Sequence, residues 1–264
     1  MVIASMTTLP SRAHKIHKTI DSIKNQTHPP EYLQLNLPIN CIRDPSPYIL
    51  PNFLINDPFV KINWVEHDLG PVTKILPTLE AHRSNSALDF IISIDDDIIY
   101  PEYWFSSLLD EITPNSVTCG KLAMFYQREG KFGLKCNATP SSESVFQILQ
   151  GFTAIAYPAA IIDDDFFAYV HDVINDQNAR YSDDLFISYY LYQKNIPIFH
   201  NKTQFRSSLR ELQYANYGFD QFALHKQGEQ NTNHAPKYFR ALSACKNWFK
   251  KHGLNTKELH MEVC

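Results

Sequence analysis

The sequence lacks any cysteine pattern that closes rings or binds zinc. Five cysteines are scattered through 264 residues, at Cys41, Cys119, Cys136, Cys245 and Cys264, and no C-x-x-C pair occurs. An odd number of distant cysteines argues against a disulfide framework and against a zinc site. A basic surplus is missing too. Lys and Arg total 24 against 28 Asp and Glu, a formal charge of −4, so no global field draws in nucleic acid. No apolar run approaches the ~18 residues of a membrane-spanning helix. "MVIASMTTLP" lacks the basic stretch and long apolar run of a signal peptide. The sequons at Asn25, Asn137 and Asn201 are therefore read as unmodified. The expectation is a soluble, cytoplasmic protein of a reducing compartment, with peripheral membrane attachment left open. Repeats, low-complexity tracts and dividing linkers are also absent, so 1–264 reads as one domain.

What is present alternates. "VIASM" (2–6), "YLQLNL" (32–37), "KINWVE" (61–66) and "DFIISI" (89–94) read as strands. Between them, 11–25 carries Ile16, Ile20 and Ile23 at helical spacing with Ser11 placed as an N-cap. Residues 71–82 read as a helix broken at Pro77, and 101–112 as another. A strand–helix rhythm of this length predicts an α/β sandwich with a mostly parallel sheet, whose ligands bind beyond the carboxyl ends of the strands. The second half reads as short strands, then helices at 164–176 and 182–195, a strand at 196–200, a polar loop at 201–233 and an amphipathic helix at 236–253. That last helix, with Lys246, Lys250 and Lys251 beside Trp248 and Phe249, either packs on the domain or meets an acidic membrane surface.

The acids stand out. "FIISIDDDIIY" (90–100) sets Asp95, Asp96 and Asp97 at the end of the most apolar strand. Adjacent carboxylates repel one another, and hard divalent cations such as Mg²⁺ or Mn²⁺ take carboxylate oxygens while keeping sites open for phosphate. In extended chain, residues i and i+2 point the same way, so Asp95 and Asp97 face one ligand and Asp96 points elsewhere. A solvated acidic turn is the bland alternative. Asp163–Asp165 instead precede a helix and read as its cap. Asp183 and Asp184 open the helix at 182–195 behind Ser182, where they either complement the helix dipole or supply a general base.

"MTTLPSR" (6–12), "HDLGPVTKILPTLE" (67–80), "FIISIDDDIIYP" (90–101), "QGFTAIAYP" (150–158) and "RYSDDLFISYYL" (180–191) occur in that order over roughly residues 1–200. The ordered set resembles GT-A-fold glycosyltransferases of the family-2-like kind found in bacteria and large DNA viruses. The resemblance implies a Rossmann-like α/β/α sandwich with a nucleotide-sugar-binding half at 1–120 and an acceptor-binding half at 121–264. It implies that the loop Thr8–Pro10–Arg12 holds the nucleotide, Asp68 meets the base and Lys74 lies near the diphosphate. Asp95 and Asp97 match the D-x-D that holds Mn²⁺ or Mg²⁺, with Asp96 between them in the donor site. Gly151 and Phe152 fall where a sugar is closely approached. Asp184, with Asp183 beside it, matches the base of inverting members. The donor is a nucleotide sugar, UDP-sugar favoured, and the acceptor a glycan or other hydroxyl.

The sequence departs from the family pattern after the second strand. "YLQLNLPIN" has no acid, and Asn36 and Asn40 are the nearest polar residues. His225 and His234 are candidates for a third metal ligand, and Arg206 and Arg210 for added charge stabilisation. The 201–233 loop reads as a lid or, through Tyr214, Tyr217 and Phe219, as an acceptor platform. Two rival readings stand beside this one. "SIDDDII" superficially matches the D-x-D of haloacid-dehalogenase-type phosphatases, although 94 residues precede it and Ile98–Ile99 replace the usual Gly-Thr turn. A non-catalytic nucleotide-sugar or carbohydrate-binding module is the other.

Overall fold

The protein is described by a computed structural model that covers residues 1–83, 89–128, 131–136, 144–200, 212–215 and 235–254. The strands in chain order are β1 (Val2–Thr7), β2 (Leu33–Pro38), β3 (Val60–Val65), β4 (Phe90–Ser93), β5 (Ile98–Ile99), β6 (Val117–Cys119), β7 (Leu122–Arg128), β8 (Lys131–Cys136), β9 (Ser144–Leu149), β10 (Ile155–Pro158), β11 (Ile198–Phe199) and β12 (Gln213–Tyr214). The helices are α1 (His17–Lys24), α2 (Asn52–Ile55), α3 (Leu76–His82), α4 (Trp104–Leu109), α5 (Asp164–Val173), α6 (Asp183–Gln193) and α7 (Ala235–Lys251).

Alternation along the strands builds the layers. Ile3, Ile91, Ile155 and Tyr157 point to one face and join the apolar residues of α3, α5, α6 and α7. Their neighbours Ala4, Ile92, Ala154 and Ala156 point to the other face and join α1, α2 and α4. Both faces of the sheet are therefore buried, which is why β4 reads as an unbroken apolar run. The central sheet has seven strands in the order β11-β6-β10-β4-β1-β2-β3. Only β10 runs against the others, antiparallel to both β4 and β6. The expected α/β/α sandwich with a mostly parallel central sheet is the one that forms. A three-stranded antiparallel sheet, β8-β7-β9, adds Phe125, Phe146 and Ile148 to the core around α6.

α7 settles one open choice. Ala241, Leu242, Cys245, Trp248 and Phe249 form its buried stripe, the spacing of one helix face. Trp248 meets Tyr169 of α5 edge-on at 5.2 Å between ring centroids. The helix packs on the domain, and Lys250 and Lys251 stay exposed. No helix among the described residues is long and apolar enough to cross a membrane.

The helix starts differ from the sequence expectation. Ser11 caps nothing: Pro10–Arg12 forms a 3-10 turn, the α-helix begins only at His17, and the Ser11 amide donates to Asp44. Ser182 precedes α6 but makes no side-chain cap; its hydroxyl donates to the Asn178 carbonyl. Residues 71–82 split into a 3-10 turn, Gly70–Lys74, and α3, so the break comes before Pro77 rather than at it. Asp163 does cap α5, accepting from the Phe166 amide at 3.0 Å. It also receives Lys194 at 3.1 Å and the Tyr190 hydroxyl. Asp163→Ala is expected to cost about 1 kcal/mol in urea unfolding, with no change at the cleft described next.

Candidate active site

β4 ends the regular sheet at Ser93, and the Ile94 amide makes a last bond to the Ser5 carbonyl at 3.0 Å. The chain then leaves the sheet. β5 pairs not with it but with β12, in a separate two-stranded ribbon. Asp95–Asp97 occupy this departure, so backbone that the sheet no longer claims is turned toward the carboxyl ends of β1, β2 and β4. A cleft of about 680 Å³ opens there. Thr8, Arg12, Asp68, Lys74, Asp95, Asp96, Asp97, Phe152, Asp183 and Asp184 line it; Pro10 and Gly151 do not. Pro10 is buried in its 3-10 turn.

The three acids take different partners, although Asp96 and Asp97 stand in a turn rather than in the extended chain that an i, i+2 alternation requires. Asp96 turns inward, where its oxygens accept from the Thr8 hydroxyl at 2.6 Å and from Arg12 at 3.2 Å. Its carbonyl accepts from Thr19 of α1 at 2.8 Å. Asp96 thus fastens the β1 loop to the acid turn while also lining the cleft. Asp95 and Asp97 face the cleft. Asp95 pairs with Lys74 at 2.9 Å, and Asp97 lies 3.6 Å from Arg12.

Across the cleft, Asp183 and Asp184 begin α6. Lys74 reaches Asp183 at 3.0 Å, so one buried ammonium bridges the two acid centres. Asp184 receives the Gly151 amide on both oxygens, each at 3.1 Å. Glycine at 151 leaves room for this packing: a Cβ there would stand 2.7 Å from both the Asp184 Oδ1 and the Lys74 Nζ, and one or both side chains would have to shift. The turn Gly151–Thr153 runs into Ala154 at φ +62°, a strained conformation for a residue with a side chain, held here beside the site.

Electrostatics follow from crowding. Burial, reinforced by Asp96 and Asp95, pushes Asp97 up to about 7. Burial and then Asp183 push Asp184 up to about 8, against the opposing pull of Lys74. Both values stand far above the ~4 of an exposed carboxylate because the charged form is taken out of water. Burial raises Asp96 as well, beyond what Arg12 and Thr8 return. Burial works to lower Lys74, but Asp183, Asp95 and Asp184 outweigh it and hold the ammonium well above its ordinary value.

These shifts have a sign. A carboxyl raised on folding contributes stability that is whole below its unfolded pKa, near ~4, and is lost as pH climbs through the folded value. Asp97 and Asp184 therefore predict a melting temperature that falls from about pH 4 to about pH 8 and levels above that. Differential scanning calorimetry checks this, and Asp97→Asn should flatten the slope.

Asp68 also lies in the cleft, with both oxygens used on backbone. It accepts from Gly70 at 2.7 Å and from Ile42 at 2.7 Å. Gly70 has φ +74°, so Asp68 ties the loop after β2 to a left-handed turn after β3. Asn36 does not substitute for the missing acid. It is buried away from the cleft with Ser5, Thr78 and Asn63, at 3.2, 2.9 and 2.8 Å.

The segment 41–48, "CIRDPSPY", supplies what the sequence reading missed. Cys41 and Arg43 line the cleft. Asp44 is fully buried and accepts from the Ser11 amide at 2.8 Å and the Ser46 amide at 3.2 Å. Burial works to raise Asp44, yet bonds from Ser11 and Ser46 outweigh it and hold its pKa below the usual carboxylate value. Tyr48 donates to the Thr8 carbonyl at 2.7 Å and packs edge-on against Trp64. The Asp-Pro-Ser run, an Asx-turn signature, was the available signal.

The donor chemistry of Asp95 and Asp97 fits a hard divalent cation that takes its remaining oxygens from phosphate and water. Among the described residues no group of three or more His, Cys, Asp or Glu forms a metal-holding cluster. His225 and His234, with Arg206, Arg210, Tyr217 and Phe219, lie outside the described residues. Tyr214 lines the cleft.

No family model matches the chain, and no curated protein matches it. Among solved structures it is similar to S. aureus TarS in complex with UDP, at 13% identity over 94% of this chain and 72% of that one, with a TM-score of 0.43. It is similar to the galactosyltransferase LgtC in complex with donor and acceptor sugar analogues, at 10% identity, 70% and 66% coverage and a TM-score of 0.41. A third likeness is to 4-diphosphocytidyl-2C-methyl-D-erythritol synthase from Anaerococcus prevotii, at 11% identity, 67% and 78% coverage and a TM-score of 0.40. At these identities and scores none of them assigns an activity to the chain.

Proposed function

We propose that the protein is a GT-A-type glycosyltransferase that moves a sugar from a nucleoside diphosphate sugar, UDP-sugar in the first instance, to an acceptor hydroxyl with inversion at the anomeric carbon. One observation carries the reading. Two acid centres face each other across a cleft at the carboxyl ends of the central strands, Asp95/Asp97 on one side and Asp183/Asp184 on the other, with Lys74 between them.

The chemistry needs both centres. A departing diphosphate gains negative charge, and an acceptor hydroxyl attacks only as it loses its proton. Asp95 and Asp97 would hold Mn²⁺ or Mg²⁺, which when bound supplies Lewis-acid stabilisation of the leaving diphosphate. Lys74 adds a fixed positive charge beside that centre, already desolvated and so requiring little reorganisation during reaction. Asp184, held by the Gly151 amide, accepts the acceptor's proton. Its pKa near 8 lies close to a neutral operating pH, where a general base serves best. Asp183, neutralised by Lys74, keeps that pair in place. Attack opposite the leaving diphosphate inverts the anomeric carbon, and NMR of the product reports the configuration directly.

The test is calorimetric titration of UDP and GDP, with and without Mn²⁺, on wild type and Asp97→Ala. Metal-dependent binding of UDP, weakened at least tenfold in the variant, is expected. Binding of neither nucleotide with either Mn²⁺ or Mg²⁺ would sink the reading.

A further inference from the structure

The cleft carries an aromatic pair that neither acid centre uses. The rings of Phe152 and Tyr214 lie 6.0 Å apart and 32° from parallel, and both line the cleft. Each is fixed to a different acid centre. Phe152 follows Gly151, whose amide holds Asp184. Tyr214 is set by the β12–β5 pairing and by the Ala215 amide, which donates to the Asp97 carbonyl at 2.8 Å. Tyr214 is 48% exposed, where a core aromatic would be covered. The Lys121 ammonium stands 5.4 Å from the Phe152 centroid and makes no ion pair among the described residues.

We infer that Phe152, Tyr214 and Lys121 form the acceptor subsite, and that its ligand is a saccharide carrying an anionic group. A pyranose presents a face of C–H bonds, weakly positive, to the negative face of an aromatic ring. A stacking platform strung between the base and the acid turn holds a sugar where its hydroxyl meets Asp184. Carboxylates ring this cleft, so an anionic ligand needs a cation of its own. Lys74 and Arg12 are engaged by acids and Arg43 acts on Asp96; Lys121, beside Phe152, makes no ion pair among the described residues. Naming the ligand an acceptor rests on the transferase reading above.

Saturation-transfer NMR with methyl β-D-glucuronide and methyl β-D-glucoside reads this binding without donor or turnover. Both probes are expected to receive saturation from wild type, with the glucuronide at least fivefold tighter. Lys121→Met should erase the preference and Lys121→Arg restore it, and Tyr214→Ala should weaken both sugars at least tenfold. Circular dichroism confirms that each variant is folded. Equal affinity of the two probes for wild type, or a preference that survives Lys121→Met, overturns the anionic assignment. Binding of neither sugar to a protein that binds UDP overturns the subsite while the transferase reading stands. Sugar binding with no nucleotide binding supports the saccharide platform and overturns the transferase reading instead.

Discussion

Asp184→Asn is expected to lower kcat by about 10²–10⁴-fold, the range spanned by a single general base, while leaving UDP binding within about twofold. The substitution preserves shape, and the amide oxygen can still accept from the Gly151 amide. What it removes is the proton acceptor. A second signature separates this from a loss of packing. In wild type, kcat/KM should climb with pH up to about 8 and then level, because the free enzyme must ionise Asp184, whose pKa burial and Asp183 raise to about 8. In Asp184→Asn that limb should vanish and the residual rate run flat. A variant that keeps more than a tenth of wild-type kcat, or the same climbing limb, removes Asp184 from the role. Asp183→Asn should behave differently, since Asp183 is tied to Lys74 and its loss acts on stability as much as on rate.

Much of this site was legible because its signals are local. The apolar run of β4 marked a strand buried on both faces and put the three acids at its end; which partner each acid takes, Thr8 for Asp96 and Lys74 for Asp95, is set in a turn that strand periodicity does not describe. Asp163 was readable as a cap because capping spans three residues. What failed were features closed over long distances. Ser11 has the right residue type for an N-cap, but the Asp44 carboxylate claims its amide from 33 positions away. Asn36 looked like a polar substitute at a strand end; its side chain instead meets Ser5 and Thr78 inside the sandwich, where a polar cluster satisfies itself. Phe152 was flagged only through its place in a motif, and its pairing with Tyr214 depends on a ribbon that brings residue 214 beside residue 98. No periodicity encodes that return. The same holds for Lys74, whose two partners lie 21 and 109 positions ahead in sequence.

Lys74→Met should therefore have the largest effect on folding of any single change at the site. The side chain is nearly inaccessible, with 8% of its surface exposed against 10% for Asp183. Removing one partner of a buried pair strands the other, and the expected cost is about 3–5 kcal/mol. Methionine fills most of the volume, so the loss is electrostatic rather than a cavity. That makes it pH-dependent with a definite sign. Without the ammonium, Asp183 and Asp95 repel Asp184 and Asp97 with only Arg12 left to oppose at Asp97, and the folded state relieves the repulsion by binding protons. Stability lost at pH 8 should be partly recovered at pH 5.5, where proton uptake by the buried acids is easier. Urea unfolding at both values measures the difference directly. A deficit under 1 kcal/mol at both pH values would mean that water reaches Asp183 and Asp95 freely, and that the bridge across the cleft is not what holds its two walls together.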